Sequence, residues 1–160
     1  MNIIAIDEST SETEFNKWRK EEVDRAGNRN VSLSSCHGFA EMADKPGDKL
    51  RFAAMHGDKV LGLVTAVVVQ SRREKRLEFA QLYVILEARG SPLIDGTVTH
   101  VAHNLVHHAK DAALALGAKS VALGVGLRNQ KGSLHFWKTR GFKLERGQIL
   151  EAAIDITDLR

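Results

Sequence analysis

Apolar and polar positions alternate along this chain in two rhythms, a period near two and a period near 3.6, and the switches between them mark the elements. Asn2 to Ile6 is a short apolar run suited to the edge of a sheet. Ser11 and Thr13 can cap a helix running to about Arg25, in which Phe15, Trp18 and Val23 share a face. Ala26 to Asn30 breaks it, and a second, weaker helix is expected from about Ser32 to Met42, before Lys45-Pro46-Gly47-Asp48. Leu50, Phe52 and Ala54 then alternate with Arg51, Ala53 and Met55, which predicts a strand turning at His56-Gly57-Asp58-Lys59. Val60 to Gln70 is β-branched and almost wholly apolar, as a central strand is. Arg72-Arg73-Glu74-Lys75-Arg76 reads as a solvated turn into a third strand, Leu77 to Leu86. These three strands should form an antiparallel meander.

A long helix follows, from about Gly96 to Leu116, with Val98, Val101, Ala102, Leu105, Ala109, Ala113 and Leu116 on one stripe. Ser120 to Val125 predicts a strand, Gly132 to Lys138 a short helix stopped before Gly141, and Phe142–Leu144 and Ile149–Ile156 two closing strands. The expected order is β-α-α-β-β-β-α-β-α-β-β. It describes an α/β fold with a mixed central sheet and helices on both faces, and excludes a purely parallel doubly wound sheet.

Composition narrows the classes without changing that outline. A chain of 160 residues with 43% hydrophobic and 27% charged residues fits one globular domain spanning 1–160. The longest apolar run, Val60 to Val69, is too short to cross a bilayer, so no membrane partner is expected. The first residues show no basic run before an apolar one, and one Cys builds no disulfide framework; both fit a cytoplasmic setting. A net charge of +3 gives little reason to expect nucleic acid, though a phosphate-bearing ligand would be comfortable. His100, His103 and His107 share one side of the long helix at ligand-like spacing, but no carboxylate or Cys completes a set, so no metal is expected. Neither a Gly-x-Ser-x-Gly elbow nor a nucleotide-binding glycine loop is present.

Two local stretches say more. Leu82-Tyr83-Val84-Ile85-Leu86-Glu87-Ala88-Arg89-Gly90 resembles the end of the fourth strand of the GNAT acyltransferase superfamily, where an apolar-x-Val strand runs into an Arg-Gly loop and a long helix. Asn129 to Phe142, with Phe136-Trp137 and Gly141-Phe142, is similar to the family's second signature. The element order over nearly the whole chain agrees.

The resemblance implies a coenzyme A site. The arm of coenzyme A can pair like an added strand with backbone at a splayed sheet edge, for which Val84, Ile85 and Leu86 are the candidates. Its diphosphate suits N–H groups entering a helix, here Arg89, Gly90, Ser91, Gly96 and Thr97. Asn129 and Phe136 belong to the second signature and stand on the coenzyme side, Phe136 also reading as plain packing. The family's loop carries small residues where Pro92 and Ile94 fall here, and its proton-donating Tyr is replaced by Trp137.

The implied reaction moves acetyl from acetyl-CoA, as co-substrate, directly to an amine. By resemblance Glu78 is the base that frees the amine lone pair, its plain reading being a solvated strand residue beside Arg76. Protonation of the leaving thiolate falls to Tyr83, His135 or water, since an indole is no acid at neutral pH. The other reading is a GNAT-fold module that no longer transfers acetyl and acts by binding a protein or nucleic-acid partner. A homodimer formed through an edge strand stays open.

Overall fold

The computed structural model describes residues 1–6, 46–84, 93–94, 97–98, 100–128, 134–149 and 153–160. The two helices expected before Pro46 lie outside the described residues. What is described is built around six strands in the order β1-β2-β3-β4-β7-β10. Strand β1 is Asn2–Ala5, β2 Asp48–His56, β3 Lys59–Ser71 and β4 Glu74–Val84; β7 is Ala118–Leu123 and β10 Ile154–Asp155. All neighbours run antiparallel except β4 and β7. The sheet is mixed, and the expected edge strand and three-stranded meander are in place.

The β2–β3 hairpin turns at Gly57-Asp58, and residues 61–68 of β3 are buried on both faces, which its unbroken apolar run requires. The charged run at 72–76 is not a turn throughout. Only Arg72-Arg73 turns, with Arg72 at φ 45°, and Glu74, Lys75 and Arg76 continue the ladder opposite Ser71, Gln70 and Val69. Lys75 holds the end of that ladder by donating from Nζ to the Leu116 carbonyl at 3.1 Å.

A second departure precedes the long helix, α1, which spans Val101–Ala115 and not Gly96 onward. Leu93–Ile94 (β5) and Thr97–Val98 (β6) pair antiparallel, Ile94 opposite Thr97, so Val98 belongs to a ribbon and not to the helix stripe. The β-branched Thr97-Val98-Thr99 disfavours a helix start, and Asp95-Gly96 is the dipeptide that two-residue hairpins prefer. Strand β7 ends at Leu123, and Val125–Arg128 forms one short helical turn, α2. The short helix α3 is Leu134–Thr139. Leu144–Glu145 (β8) and Gln148–Ile149 (β9) form a hairpin of their own, because Arg146 and Gly147 both take positive φ, 51° and 74°, and turn the chain at once. Of the expected closing strand, Ile149 belongs to β9 and Ile154–Asp155 to β10, and residues 150–152 lie outside the described residues. The strand ends where Asp155 accepts from the Thr157 N–H at 2.9 Å and starts a 3-10 turn over Ile156–Asp158.

Helices α1 and α3 cover one face of the sheet. From α1, Val101, Leu105, Val106, Ala109 and Ala113 are buried against Phe52, Val64, Ala66 and Phe79. The approach is closest at Gly62, where a Cβ would stand 2.8 Å from the Tyr83 carbonyl and 3.0 Å from a Val101 methyl. From α3, fully buried Trp137 packs against Phe79 (ring centroids 5.4 Å apart) and edge-on to Phe142 (5.9 Å). Gly141, at φ 114°, ends α3; a Cβ there would lie 2.5 Å from the Asp158 carbonyl.

Two substitutions test this packing. Trp137→Ala should lower unfolding free energy by about 3–5 kcal/mol by emptying the centre of the face. Gly62→Ala should cost about 1–3 kcal/mol by pushing α1 off the sheet. Urea unfolding measures both; an unchanged midpoint for Gly62→Ala would show that α1 does not seat there.

Candidate active site

The site begins with a fault in the sheet. Thr65 on β3 pairs with Gln81 on β4, whereas Ala66 pairs with Phe79, so Ala80 is an extra residue bulging from β4. On its other side β4 follows β7 in parallel from Lys75↔Ala118 only as far as Phe79↔Leu123. The next N–H, from Gly124, closes onto the Phe79 carbonyl at 2.8 Å, and the chain leaves into α2. Strand β4 runs on to Val84 with no β7 residue opposite it. A bulge bends and twists its strand, so the two parallel strands part where Ala80 is inserted.

That parting takes β7 away from the end of β4, and an extended ligand arm that adds as a strand uses such a parting. Gly62, which pairs with Val84, lies against Val101, so the parting opens toward the first turn of α1. There the cap residue His100 gives no side-chain hydrogen bond and the first turn has no acidic residue. Among the described residues the first bond of the helix ladder runs from the Asn104 N–H to the His100 carbonyl at 2.9 Å, so this end carries the positive pole of the helix. On the other flank stands α3, fixed by Trp137 on Phe79.

Of the coenzyme-side residues expected from sequence, Val84 stands at the end of β4, beyond its last β7 partner, with 8% of its surface exposed. Phe136 is half-buried, edge-on to Trp137 at 5.0 Å. Thr97 sits in the β5–β6 ribbon, before the helix and not within it. Ile85, Leu86, Arg89, Gly90, Ser91, Gly96 and Asn129 lie outside the described residues. The helix N-terminus is formed at His100–His103, later than the sequence suggested.

The chemical candidates divide between the two faces of the sheet. Glu78 pairs with Val67, and Tyr83 pairs with Leu63. Val67 and Leu63 are an even number of residues apart on β3, so Glu78 and Tyr83 share the face opposite α1, about 13 Å apart along the strand. Glu78 is half-buried and Tyr83 buried. His135 is exposed on α3, and Trp137 occupies the core, so the signature's aromatic pair packs rather than moving protons.

Sequence reasoning missed the row between Glu78 and Tyr83. Arg51, Thr65 and Gln81 are mutual partners across β2, β3 and β4, and all three are buried. Thr65 Oγ1 and Gln81 Oε1 have no hydrogen-bond partner among the described residues. Polar residues at the inward register of otherwise apolar strands were the available signal. Sequence reasoning also missed that His103 and His107 are half-buried against the end of α3 and not set on an open helix surface. No group of three metal-ligating side chains occurs among the described residues. No described helix is long and apolar enough to cross a membrane.

Known proteins with this arrangement can now be set beside it. The acetyltransferase (GNAT) family matches residues 5–142 of the chain. An acetyltransferase of the GNAT family from Staphylococcus aureus is 11% identical with a TM-score of 0.65, over 97% of this chain and 98% of that one. An aminoglycoside acetyltransferase from an uncultured soil metagenomic sample, solved in complex with sisomicin, is 13% identical with a TM-score of 0.61, over 94% and 93%. An aminoglycoside 6′-N-acetyltransferase complexed with coenzyme A is 16% identical with a TM-score of 0.53, over 88% and 74%. No curated protein matches at the level of sequence. With the family match spanning most of its length and the parted β4–β7 pair at its centre, this chain belongs to the GNAT family of acetyltransferases.

Proposed function

We propose that the chain transfers acetyl from acetyl-CoA directly to the nitrogen of an amine. The observation that carries this reading is the parting of β4 from β7 beyond Phe79, with β4 ending beside a first turn of α1 that has no acidic residue. The pantetheine arm runs along that edge, Ile85 and Leu86 continuing from Val84, and brings the thioester over β4. The diphosphate lies toward α1, where the positive end of the helix favours an anion. Arg89, Gly90, Ser91, Gly96 and Thr97 precede that turn in the sequence, and the family's second signature adds Asn129 and Phe136 to the coenzyme-side residues. Pro92 supplies no N–H, so the helix start at His100–His103 carries more of the phosphate binding than the loop does.

In the reaction the amine lone pair attacks the thioester carbonyl carbon and forms the C–N bond. Glu78, directly or through one water, takes the proton the nitrogen loses. The tetrahedral intermediate collapses by breaking the C–S bond, and the coenzyme leaves as thiolate. Tyr83 protonates that sulfur in preference to His135, because it shares the Glu78 face while His135 is exposed on α3. A reacting centre served by both Glu78 and Tyr83 sits between them, level with Gln81. Neighbours that act on aminoglycosides, one of them solved with sisomicin, support an amine acceptor. They do not choose among an amino sugar, a small amine and a protein amine.

Calorimetric titration tests the reading. Acetyl-CoA should bind in the micromolar range and ATP should not. Absence of heat and of thermal shift at millimolar acetyl-CoA would move the protein to the alternative, a GNAT-fold module that binds a protein or nucleic-acid partner. Glu78→Gln should reduce kcat for an amine roughly 10²-fold or more, most strongly at pH values where the free amine is still protonated, with KM for acetyl-CoA little changed. An unaltered pH–rate profile would remove Glu78 from the mechanism. Tyr83→Phe should slow turnover roughly 10²-fold and His135→Asn should leave it near wild type; the reverse order would reassign the acid.

A further inference from the structure

The reaction above leaves one group of titratable side chains unused, in the cleft between α1 and α3. His103 and His107, one turn apart on α1, stack with ring centroids 4.2 Å apart. Arg140, just past the end of α3, reaches across and hydrogen-bonds to Nδ1 of His103. Arg140 is held in place for this. Its carbonyl accepts from the Arg160 N–H at 2.9 Å, and its guanidinium lies 5.1 Å from the centre of the Phe136 ring.

A guanidinium only donates, so Nδ1 of His103 must present a lone pair, and the imidazole bonded to Arg140 is neutral with its proton on Nε2. Burial first, then the charges of His107, Arg140 and His100, hold the His103 pKa below 6.5. Among the described residues, the charges that act on the ring are cationic. His100 and His107 come from α1 and Arg140 from the end of α3, while His135 and Lys138 stand exposed on α3 and Asp111, one turn beyond His107, is exposed on α1. Lys110, farther along the same helix, is engaged by the Leu159 carbonyl at 2.6 Å. Nε of Arg140 and Nε2 of His107 are buried with no hydrogen-bond partner among the described residues. Cations gathered this way favour an anion.

We propose that Arg140 and His103 form a phosphate-binding pair for the coenzyme, in which Arg140 exchanges His103 for a phosphate oxygen and His103 takes up a proton as the ligand binds. The proposal rests on the acetyl-CoA reading and deepens it. One N–H···N bond breaks, one N–H···O bond to phosphate forms, and one proton from solvent adds to Nδ1 of His103. The resulting imidazolium faces the same anion. The location follows from the fold. Val101 lies against Gly62 beside the end of β4, and Trp137 lies on Phe79 where β4 and β7 part, so a ligand following β4 from that parting emerges between α1 and α3.

The sign of the pH effect is fixed by the neutral ring. In the free protein the His103 pKa is lowered, so the unfolded chain binds more protons between that lowered value and 6.5. Stability without ligand falls as pH drops through that window. Phosphate beside the ring raises the pKa in the complex, so coenzyme affinity rises as pH falls through the same window.

Calorimetry at pH 6.5 in two buffers of different ionisation enthalpy counts the protons taken up, with coenzyme A and with dephospho-coenzyme A. The second ligand lacks the phosphate monoester, whose own titration near pH 6 would otherwise contribute. Wild type should take up a fraction of a proton with dephospho-coenzyme A if the diphosphate is the partner, and only with coenzyme A if the monoester is. His103→Asn, whose amide oxygen still accepts from Arg140, should abolish that uptake. Arg140→Gln should weaken binding about 10-fold or more. Equal proton counts in wild type and His103→Asn, or unchanged affinity in Arg140→Gln, would overturn the pair while leaving the transferase reading intact. Failure of both ligands to bind wild type at any pH from 5.5 to 8 would overturn the transferase reading itself.

Discussion

Everything at the candidate site depends on how β4 stops being an ordinary strand. Up to Phe79 it is paired on both sides, by β3 and by β7. One inserted residue, Ala80, then bends it away, and the Gly124 N–H seals the last parallel contact onto the Phe79 carbonyl. A Cβ on residue 124 would stand 3.0 Å from that carbonyl, so a glycine suits the seal. Beyond this point β7 no longer supplies ladder bonds to β4. Burial of Leu77, Phe79 and Leu123 below the fault keeps the two strands together there and confines the opening to one end.

The flanks of the opening are fixed by different physics. Helix α1 reaches the sheet through a missing side chain, at Gly62, and its first turn is brought against the Tyr83 carbonyl. Helix α3 has only six residues and cannot persist by its own hydrogen bonds, so its place comes from Trp137 among Phe79, Phe136 and Phe142. Behind it Gly141 and the terminal 3-10 turn approach closely, and Arg160 bonds back to Arg140. The end of the chain thus holds the residue that crosses to His103.

Periodicity made the sheet centre legible. The apolar run of β3 and the alternation in β2 are local signals that burial reinforces, and both strands lie close to where the pattern put them. The stripe through Val101, Leu105, Ala109 and Ala113 survived for the same reason. Short elements failed where local chemistry outweighed it: β-branched Thr97 and Val98 pair with Ile94 and Leu93 in place of a helix start, and Arg146-Gly147 turns the chain between β8 and β9. The family's second signature pointed to the Phe136-Trp137 pair, but not to which ring would be buried. The bulge at Ala80 leaves no mark in the pattern, because Ala fits either face. Nothing local joins His103 to Arg140 either; that contact exists only once α1 and α3 share a face of the sheet.

The buried Trp137 decides how the chemistry has to be arranged in the transferase reading. An aromatic hydroxyl on α3 would deliver a proton from the α1 face, the face the coenzyme approaches. Here that position is filled by an indole that packs, with Nε1 buried and unpartnered among the described residues. On that reading proton transfer falls to the opposite face, where β4 presents Glu78 and, after the bulge has restored the alternation, Tyr83. The same inserted residue that opens the sheet therefore sets these two groups on one side of it. Binding on the α1 face and proton chemistry on the other become separable tasks, with β4 as the only element shared by both.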